Sequence, residues 1–203
     1  MNSNYPISHL PEIWDIVRRF SKPIKLVWIG LDNTGKSSLI KRLKTGEFAD
    51  NIPRTMGLTV DKFFYEADSN IEIMSWDLGG QIYFRGNLWN DYLKGASAVI
   101  YVFDISDHDK DRFAEMKKEL WEYVLLDKNK TNGTPILILA NKSDKGTLIP
   151  NEELCQKLEL NSIRDKNWKI FQVSALNGLN LDKAFFWLFN ALLIQNKEKK
   201  KKK

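Results

Sequence analysis

The chain has 203 residues, of which 43% are hydrophobic and 28% charged, and these values fit one domain with a buried core. No hydrophobic run approaches the length of a membrane span, and a single cysteine excludes an intramolecular disulfide framework and suits a reducing compartment. The net charge of +5 equals that of residues 197–203, so residues 1–196 are neutral as a whole, which disfavours a nucleic-acid partner.

Residues 5–20 have the pattern of an amphipathic helix. Ile13, Ile16, Val17 and Phe20 recur at helical spacing, and charged residues occupy the opposite face. Two interpretations remain open from the sequence: the helix packs permanently on the domain, or it lies on a membrane surface.

A glycine-containing loop follows the apolar run 24–29 and precedes a helical pattern. It reads Gly30-Leu31-Asp32-Asn33-Thr34-Gly35-Lys36-Ser37 and matches G-x-x-x-x-G-K-[ST]. Between a strand and a helix, this pattern predicts a phosphate-binding loop rather than an ordinary turn. Backbone N–H groups would surround a polyphosphate, Lys36 would reach the outer phosphates and the Ser37 hydroxyl would ligate Mg²⁺.

The rest of the chain alternates strand and helix patterns. Residues 45–57 lack periodicity and predict an exposed, mobile connection. We predict strands over 58–65, 71–76, 98–104, 135–141 and 169–173, a hairpin turn at 66–70, and helices over 112–126 and 181–194. The alternation predicts an α/β fold, a mostly parallel six-stranded sheet with helices on both faces, and ligands bind such sheets at the carboxyl ends of the strands.

Two segments that follow strands predict which base is bound. Asn141-Lys142-Ser143-Asp144 places a carboxylate where it can accept from the ring N–H and the exocyclic amine of guanine, while the Lys142 stem lies along the purine. In Ser174-Ala175-Leu176, the Ala175 N–H can meet the guanine carbonyl oxygen. An Asp144 that merely caps a helix is the alternative. Taken together with the phosphate-binding loop, the two segments favour GTP over ATP.

These motifs together resemble the Arf/Sar family of small GTPases over roughly residues 5–194. The resemblance is carried by Gly30 to Lys36, Trp76-Asp77-Leu78-Gly79-Gly80-Gln81, Asn141-Lys142-x-Asp144 and Ser174-Ala175. It implies a P-loop NTPase of three layers, with a G domain over 23–195, an N-terminal helix within 1–22 and a lysine-rich tail over 196–203. It also implies a GTP/GDP switch with two mobile segments, around 46–57 and 78–95.

The resemblance implies a role for each matching residue. Ser37 and Thr55 would ligate Mg²⁺, Asp77 would hold a metal-bound water, and the Gly80 N–H would contact the γ-phosphate. Gln81 would be the catalytic residue that orients the attacking water; the alternative is an ordinary exposed glutamine. The expected nucleotide-binding residues are Gly30, Leu31, Asp32, Asn33, Thr34, Gly35, Lys36, Ser37, Ser38, Thr55, Asp77, Gly80, Asn141, Lys142, Asp144, Ser174, Ala175 and Leu176.

Three features depart from the family pattern. Arg54 lies directly before Thr55, where Arf proteins usually have proline; it is either an internal arginine finger or a solvated loop arginine, and the sequence favours the latter. The segment from Gln81 to Tyr92 is one residue longer than in Arf or Sar proteins. Residue 2 is Asn2 rather than glycine, and the C-terminus is not a prenylation box, so neither lipid anchor is expected.

The resemblance implies a cytoplasmic GTPase that turns over slowly unless a partner's arginine assists it, with an exchange factor, a GTPase-activating protein and effectors as partners. Residues 5–20 and 197–203 would give reversible contact with an anionic membrane. The tail could instead bind RNA or have no role. The alternative function is a nucleotide-locked GTP-binding interaction module with negligible hydrolysis.

Overall fold

The computed structural model describes residues 11–20, 22–65, 68–85, 87–126, 133–146 and 148–201. The strands are β1 (Ile24–Ile29), β2 (Leu58–Tyr65), β3 (Asp68–Leu78), β4 (Ala98–Asp104), β5 (Ile136–Asn141) and β6 (Trp168–Gln172). The α-helices are α1 (Pro11–Val17), α2 (Lys36–Thr45), α3 (Asn87–Leu93), α4 (Lys110–Glu119), α5 (Asn151–Lys157) and α6 (Leu181–Lys201). A π-helical segment, Leu120–Leu125, continues α4, and short 3-10 turns span Ser143–Lys145 and Leu160–Ser162.

The six strands form one sheet in the order β2-β3-β1-β4-β5-β6, and β2 alone among them runs antiparallel to its neighbour. This confirms the predicted mostly parallel sheet. The register places Trp28 of β1 opposite Asp77 of β3, and Asp104 of β4 opposite Asn141 of β5. The carboxyl ends of the central strands therefore lie side by side, where the predicted motifs follow them.

Each face of the sheet is covered by helices. One core joins α1, α2 and α6 to the sheet, and the other joins α3, α4 and α5 to its opposite face. Phe185 of α6 stacks on Trp28 with ring centroids 5.8 Å apart. Because the central strands are buried on both faces, they consist of nearly uninterrupted apolar residues.

The predicted hairpin turn at 66–70 is wrong in part, because residues 68–70 belong to β3. Asp68 pairs with Tyr65 across an irregularity in the ladder, and residues 66 and 67 of the predicted turn lie outside the described residues. β3 also continues to Leu78, which places Asp77 inside the strand. The predicted helix over 112–126 begins at Lys110, where the Asp109 carboxylate caps it, and changes to a π-helix at Leu120.

Both terminal helices differ from their predicted bounds. Residues 5–10 of the predicted N-terminal helix lie outside the described residues, and α1 spans the remainder up to Val17. The last helix continues seven residues beyond the predicted Ile194, into the lysine-rich segment, because lysine and glutamate are good helix formers. Within the described residues, no helix has both the length and the apolar composition that a bilayer crossing requires.

Candidate functional site

The loop between β1 and α2 wraps its backbone around the ammonium of Lys36. Lys36 Nζ donates to the carbonyl oxygens of Gly30 and Leu31, each at 2.9 Å. Gly35 has a φ of 87°, and a Cβ on Gly30 would lie 2.0 Å from the carbonyl oxygen of Val102. Both positions therefore need glycine, which lets the loop aim backbone N–H groups at a bound anion.

The carboxylates near Lys36 do not fully offset the effect of burying its ammonium group. Its side chain is almost completely buried, and burial lowers its pKa from 10.5 to about 8, although the carboxylates of Asp77 and Asp32 act in the opposite direction. Phosphate groups beside the ammonium would stabilise its charged form. The loop thus has the electrostatic character of an anion site.

Three oxygen-bearing side chains meet beside Lys36. The Oγ of Ser37 and the Oγ1 of Thr55 are 2.9 Å apart. Both hydroxyls contact Asp77 Oδ2, and Thr55 does so at 3.0 Å. Burial raises the pKa of the Asp77 carboxyl, while hydrogen bonding to Ser37 and the charge of Lys36 oppose this.

This cluster fits a magnesium ion. Asp77 Oδ1 is buried and has no hydrogen-bond partner among the described residues, so it is available to a water or an ion. Hydroxyl and carboxylate oxygens are the ligands that Mg²⁺ takes from proteins, and the ion keeps several waters. Ser37 and Thr55 would hold the ion directly, and Asp77 would hold it through water.

A cavity of about 120 Å³ opens above Lys36 and this oxygen cluster. Its walls come from the phosphate-binding loop, the connection before β2 and the segment after β3; they are Asp32, Asn33, Gly35, Lys36, Ser37, Ser38, Ile52, Pro53, Arg54, Thr55, Gly80 and Gln81. A larger cavity of about 570 Å³ includes Lys142 in its wall but none of the other predicted site residues. The small polar cavity is therefore the one that matches the phosphate chemistry.

Two of the predicted base-binding residues are hydrogen-bonded to the phosphate-binding loop. Asn141 is buried; its Nδ2 donates to Thr34 O at 2.9 Å, and its Oδ1 accepts from the Ala175 N–H at 3.1 Å. Lys142 Nζ donates to Asn33 O at 2.7 Å. One amide side chain thus joins the loops that follow β1, β5 and β6.

Asp144 contacts the segment 174–176 rather than capping a helix. Its carboxylate accepts a hydrogen bond from the Ser174 hydroxyl, whose oxygen in turn accepts from the Leu176 N–H at 3.1 Å. Sequence reasoning missed Arg42, which lies on α2 and donates to Leu176 O at 2.8 Å. This arginine supports the loop from α2. The Ala175 N–H, which was predicted to meet the guanine carbonyl oxygen, donates to Asn141 Oδ1 in this structure.

The segment after β3 packs directly on the phosphate-binding loop at Gly80. The Asp32 N–H donates to Gly80 O at 3.1 Å. A Cβ on Gly80 would lie 2.3 Å from the Asp32 nitrogen and 2.3 Å from the Leu31 carbonyl carbon. Gln81 follows on the cavity wall, half-buried, with its Nε2 3.6 Å from the sulfur of Met56.

Arg85 holds this segment in place, and sequence reasoning missed it. Its side chain is 7% exposed; Nε donates to Gly80 O at 2.7 Å, and Nη1 pairs with Glu115 at 2.5 Å and Glu119 at 3.2 Å. Trp89 adds a hydrogen bond from its indole nitrogen to Gly79 O at 3.1 Å. Glu115 and Glu119 lie four residues apart on α4. This spacing indicates that both acids face the same partner, but it does not indicate which residue the partner is.

Nine of the predicted site residues line this cavity, and Asn141 and Lys142 are hydrogen-bonded to the phosphate-binding loop. Residues 11–192 match the model of the ADP-ribosylation factor (Arf) family. The chain belongs to this family of small GTPases. As an Arf-family protein it is a GTPase, and it binds GTP and GDP with Mg²⁺.

Similar proteins support the family across most of the chain. ADP-ribosylation factor J of Dictyostelium discoideum is 37% identical over 171 residues, which cover 84% of this chain and 86% of that protein. ADP-ribosylation factor-like protein 8c of Arabidopsis thaliana is 35% identical, with coverages of 83% and 88%. The solved structure of the Arl6 BBS3 small GTPase from Trypanosoma brucei, with the bound nucleotide analogue GppNp, superposes with a TM-score of 0.70. It is 30% identical and covers 86% of this chain and 99% of its own.

Proposed function

We propose that this Arf-family protein is an active switch that hydrolyses GTP slowly by itself, with Gln81 as the residue that orients the attacking water. The supporting observation is that Gln81 shares the wall of one cavity with Lys36, Ser37 and Thr55. Water, phosphate and metal ligands could therefore meet in a single small space.

The proposed magnesium ligands are the hydroxyls of Ser37 and Thr55, with Asp77 acting through a water. When bound, the ion neutralises charge on the β- and γ-phosphates. Lys36 would contact the outer phosphates, and the N–H of Gly80 would contact the γ-phosphate. The Gln81 side-chain amide would orient a water opposite the leaving oxygen.

The switch would depend on Thr55 and Gly80, which lie on two different segments. The contact of Thr55 with the magnesium ion and the contact of the Gly80 N–H with the γ-phosphate would both need the γ-phosphate. Its loss would therefore release the segments around 46–57 and 78–95. An exchange factor, a GTPase-activating protein and effectors are the proposed partners of these segments. A pull-down with the Gln81→Leu protein loaded with GTP would identify the effectors.

The test is single-turnover GTP hydrolysis in the absence of partners. Leucine at position 81 cannot hydrogen-bond the water, so Gln81→Leu should hydrolyse GTP at least about tenfold more slowly than wild type. Gln156→Leu is the matched control, because Gln156 is exposed on α5 and should leave the rate unchanged. Equal rates for wild type and Gln81→Leu, with or without cell extract, would favour the nucleotide-locked interaction module.

We also propose that the protein is cytoplasmic and contacts anionic membranes reversibly when GTP is bound. Ile13, Trp14, Ile16 and Val17 of α1 are buried in the core shared with α6, which supports a stowed helix as the starting state. Release of this helix would expose about four apolar side chains, and the lysines of 197–203 would add roughly 1 kcal/mol each near an anionic surface. Neither the apolar side chains of α1 nor the lysines of 197–203 would bind a membrane strongly alone.

Liposome flotation tests this coupling. Protein loaded with GppNp should float with vesicles containing phosphatidylserine, whereas GDP-loaded protein should float much less. Ile16→Ser should weaken flotation, while Arg19→Ser, an exposed position beside α1, should weaken it less. Equal flotation in both nucleotide states contradicts the coupling, and binding to RNA with a steep salt dependence would favour the nucleic-acid interpretation of the tail.

A further inference from the structure

Arg54 is an exposed cation at the mouth of the phosphate cavity. It lies in the same cavity wall as Lys36 and Gln81. Its side chain is 74% exposed, so packing does not fix it in one conformation. A guanidinium in this position can turn toward the cavity without disturbing the core.

The backbone of Arg54 is held near the cavity by the residue that follows it. The Thr55 hydroxyl lies 2.9 Å from Ser37 Oγ and 3.0 Å from Asp77 Oδ2. Because consecutive Cα atoms are about 3.8 Å apart, Arg54 cannot be far from this anchored position. Any metal ligation by Thr55 would hold Arg54 beside the phosphates as well.

Asp32 of the phosphate-binding loop lies between two arginines. Arg54 Nη1 is 3.9 Å from Asp32 Oδ2, while Arg112 Nη1 is 3.3 Å from Asp32 Oδ1. Arg112 is fixed more firmly, because it also donates to Asp32 O at 2.5 Å and to Asp107 at 2.9 Å. Asp32 therefore keeps a cation when Arg54 turns away from it.

We propose that Arg54 is an arginine finger supplied by this chain itself, which turns from Asp32 to the transferring phosphoryl group and accelerates hydrolysis without a partner's arginine. The weak contact with Asp32 keeps the guanidinium at the cavity mouth, and the phosphoryl group presents a stronger anion only as charge builds on it during transfer. This inference rests on the proposed function, since it adds a residue to the same hydrolytic step.

In that step the oxygen of water forms a bond to the γ-phosphorus as the bond from phosphorus to the β–γ bridging oxygen breaks. The bonding electrons stay on GDP, and the proton of water ends on inorganic phosphate. Charge builds on the γ-phosphate oxygens and the bridging oxygen during transfer. A guanidinium can donate to two of these oxygens at once, which an ammonium does less well.

Single-turnover hydrolysis without partners gives the first test. Arg54→Ala should be slower by about 30-fold, the difference between GTPases with and without an arginine in their own chain. The rate of Arg54→Lys should lie between those of wild type and Arg54→Ala, because lysine keeps the charge but not the planar guanidinium. Arg164→Ala removes an exposed arginine that lies outside the cavity wall, and it should hydrolyse GTP like wild type.

Binding gives a second test that does not depend on turnover. GDP with aluminium fluoride and Mg²⁺ mimics the transferring phosphoryl group, and titration calorimetry measures its affinity. Wild type should bind this mimic without a partner, and Arg54→Ala should bind it about tenfold or more weakly. Both proteins should bind GDP alone and GppNp with affinities equal within about twofold.

The outcomes separate this inference from the proposed function. If Arg54→Ala matches wild type in rate and in affinity for the mimic while Gln81→Leu is slow, the internal arginine is overturned and the switch stands. If Arg54→Ala weakens GppNp as much as the mimic, Arg54 is a ground-state contact and the proposal is also overturned. If Gln81→Leu is as fast as wild type, the proposed function itself fails.

Discussion

The ammonium of Lys36 is bonded to two backbone carbonyl oxygens, and its burial lowers the pKa to about 8. Nucleotide phosphates would keep the proton on this group and so raise its pKa in the bound state. Between the two pKa values the bound protein holds more protons than the free protein. Affinity must then fall as the pH rises through about 8, whereas below that pH both states are protonated and affinity is flat.

We therefore expect the affinity for GDP with Mg²⁺ to be constant near pH 7 and to fall by up to tenfold per pH unit above about pH 8. Calorimetry in two buffers with different ionisation enthalpies should detect proton uptake on binding at about pH 8.5 and almost none at about pH 7. Equal proton uptake at both pH values contradicts the assignment of this effect to Lys36.

Gly80 is a second position where one residue controls the site. An added methyl group would lie 2.3 Å from both Asp32 N and Leu31 C, which are backbone atoms that cannot yield easily. Gly80→Ala should separate the segment after β3 from the phosphate-binding loop. The proposed γ-phosphate contact would then weaken, while the contacts to the other phosphates would remain.

The expected result for Gly80→Ala is a loss of about tenfold in affinity for GppNp, with a much smaller change for GDP. Gly146→Ala is the matched control, because a methyl group there would meet nothing within 4 Å and the φ is extended. Titration of each variant with both nucleotides makes the comparison. A loss of equal size for the two nucleotides would show that Gly80 does not distinguish them.

At the scale of elements, the sequence predicted the interior of the sheet better than its edge. The apolar run 98–104 gave the bounds of β4, because a strand buried on both faces contains no polar interruption. The edge hairpin was harder to predict: residues 68–70 are typical of turns, yet they belong to β3, and Asp68 pairs with Tyr65 of β2. The π-helical turn at Leu120–Leu125 has no signature in side-chain periodicity, so it was predicted as ordinary helix.

In the functional site, too, some residues could be predicted from the sequence and others could not. Its motif residues were predicted because each motif is a short local stretch that follows a strand. Arg85 and Arg42 could not be found in this manner, since Arg85 acts through Glu115 and Glu119, thirty or more residues away, and Arg42 through Leu176, 134 residues away. Contacts of that separation exist only once the fold has brought the elements together.

Helix α1 is short, so its stability depends on packing rather than on helix propensity. Trp14 is completely buried in the core that includes α6. Trp14→Ala should lower the free energy of unfolding by about 3–5 kcal/mol, if α1 remains docked in the GDP-bound protein. Urea denaturation of the GDP-bound protein measures this value.

The control for this change is Arg19→Ala, an exposed position directly after α1, which should alter the free energy of unfolding by less than about 0.5 kcal/mol. A small effect of Trp14→Ala, close to that of Arg19→Ala, would mean that the stowed helix is not part of the cooperative GDP-bound fold. GTP binding would then have no stably docked α1 to release.

At the scale of the whole molecule, the nucleotide site lies where the loops after β1, β3, β5 and β6 meet. Asn141 connects three of these loops, and Arg85 connects the fourth to α4. A nucleotide that contacts all of them would stabilise elements on both faces of the sheet. Binding should consequently shift the unfolding of the whole domain rather than of one segment.

GDP with Mg²⁺ at about 1,000 times its dissociation constant should add about 4 kcal/mol to the free energy of unfolding, or roughly 8–16 °C to Tm for a chain of this size. Differential scanning fluorimetry measures the shift. ADP at the same concentration should give almost no shift. Adenine does not offer the pair of donors, a ring N–H beside an exocyclic amine, from which the Asp144 carboxylate is proposed to accept hydrogen bonds. Lys36→Ala should lose the GDP shift while keeping the fold, as shown by an unchanged far-UV spectrum. An equal shift with ADP contradicts the guanine specificity of the loops after β5 and β6, and a full GDP shift in Lys36→Ala contradicts the phosphate site itself.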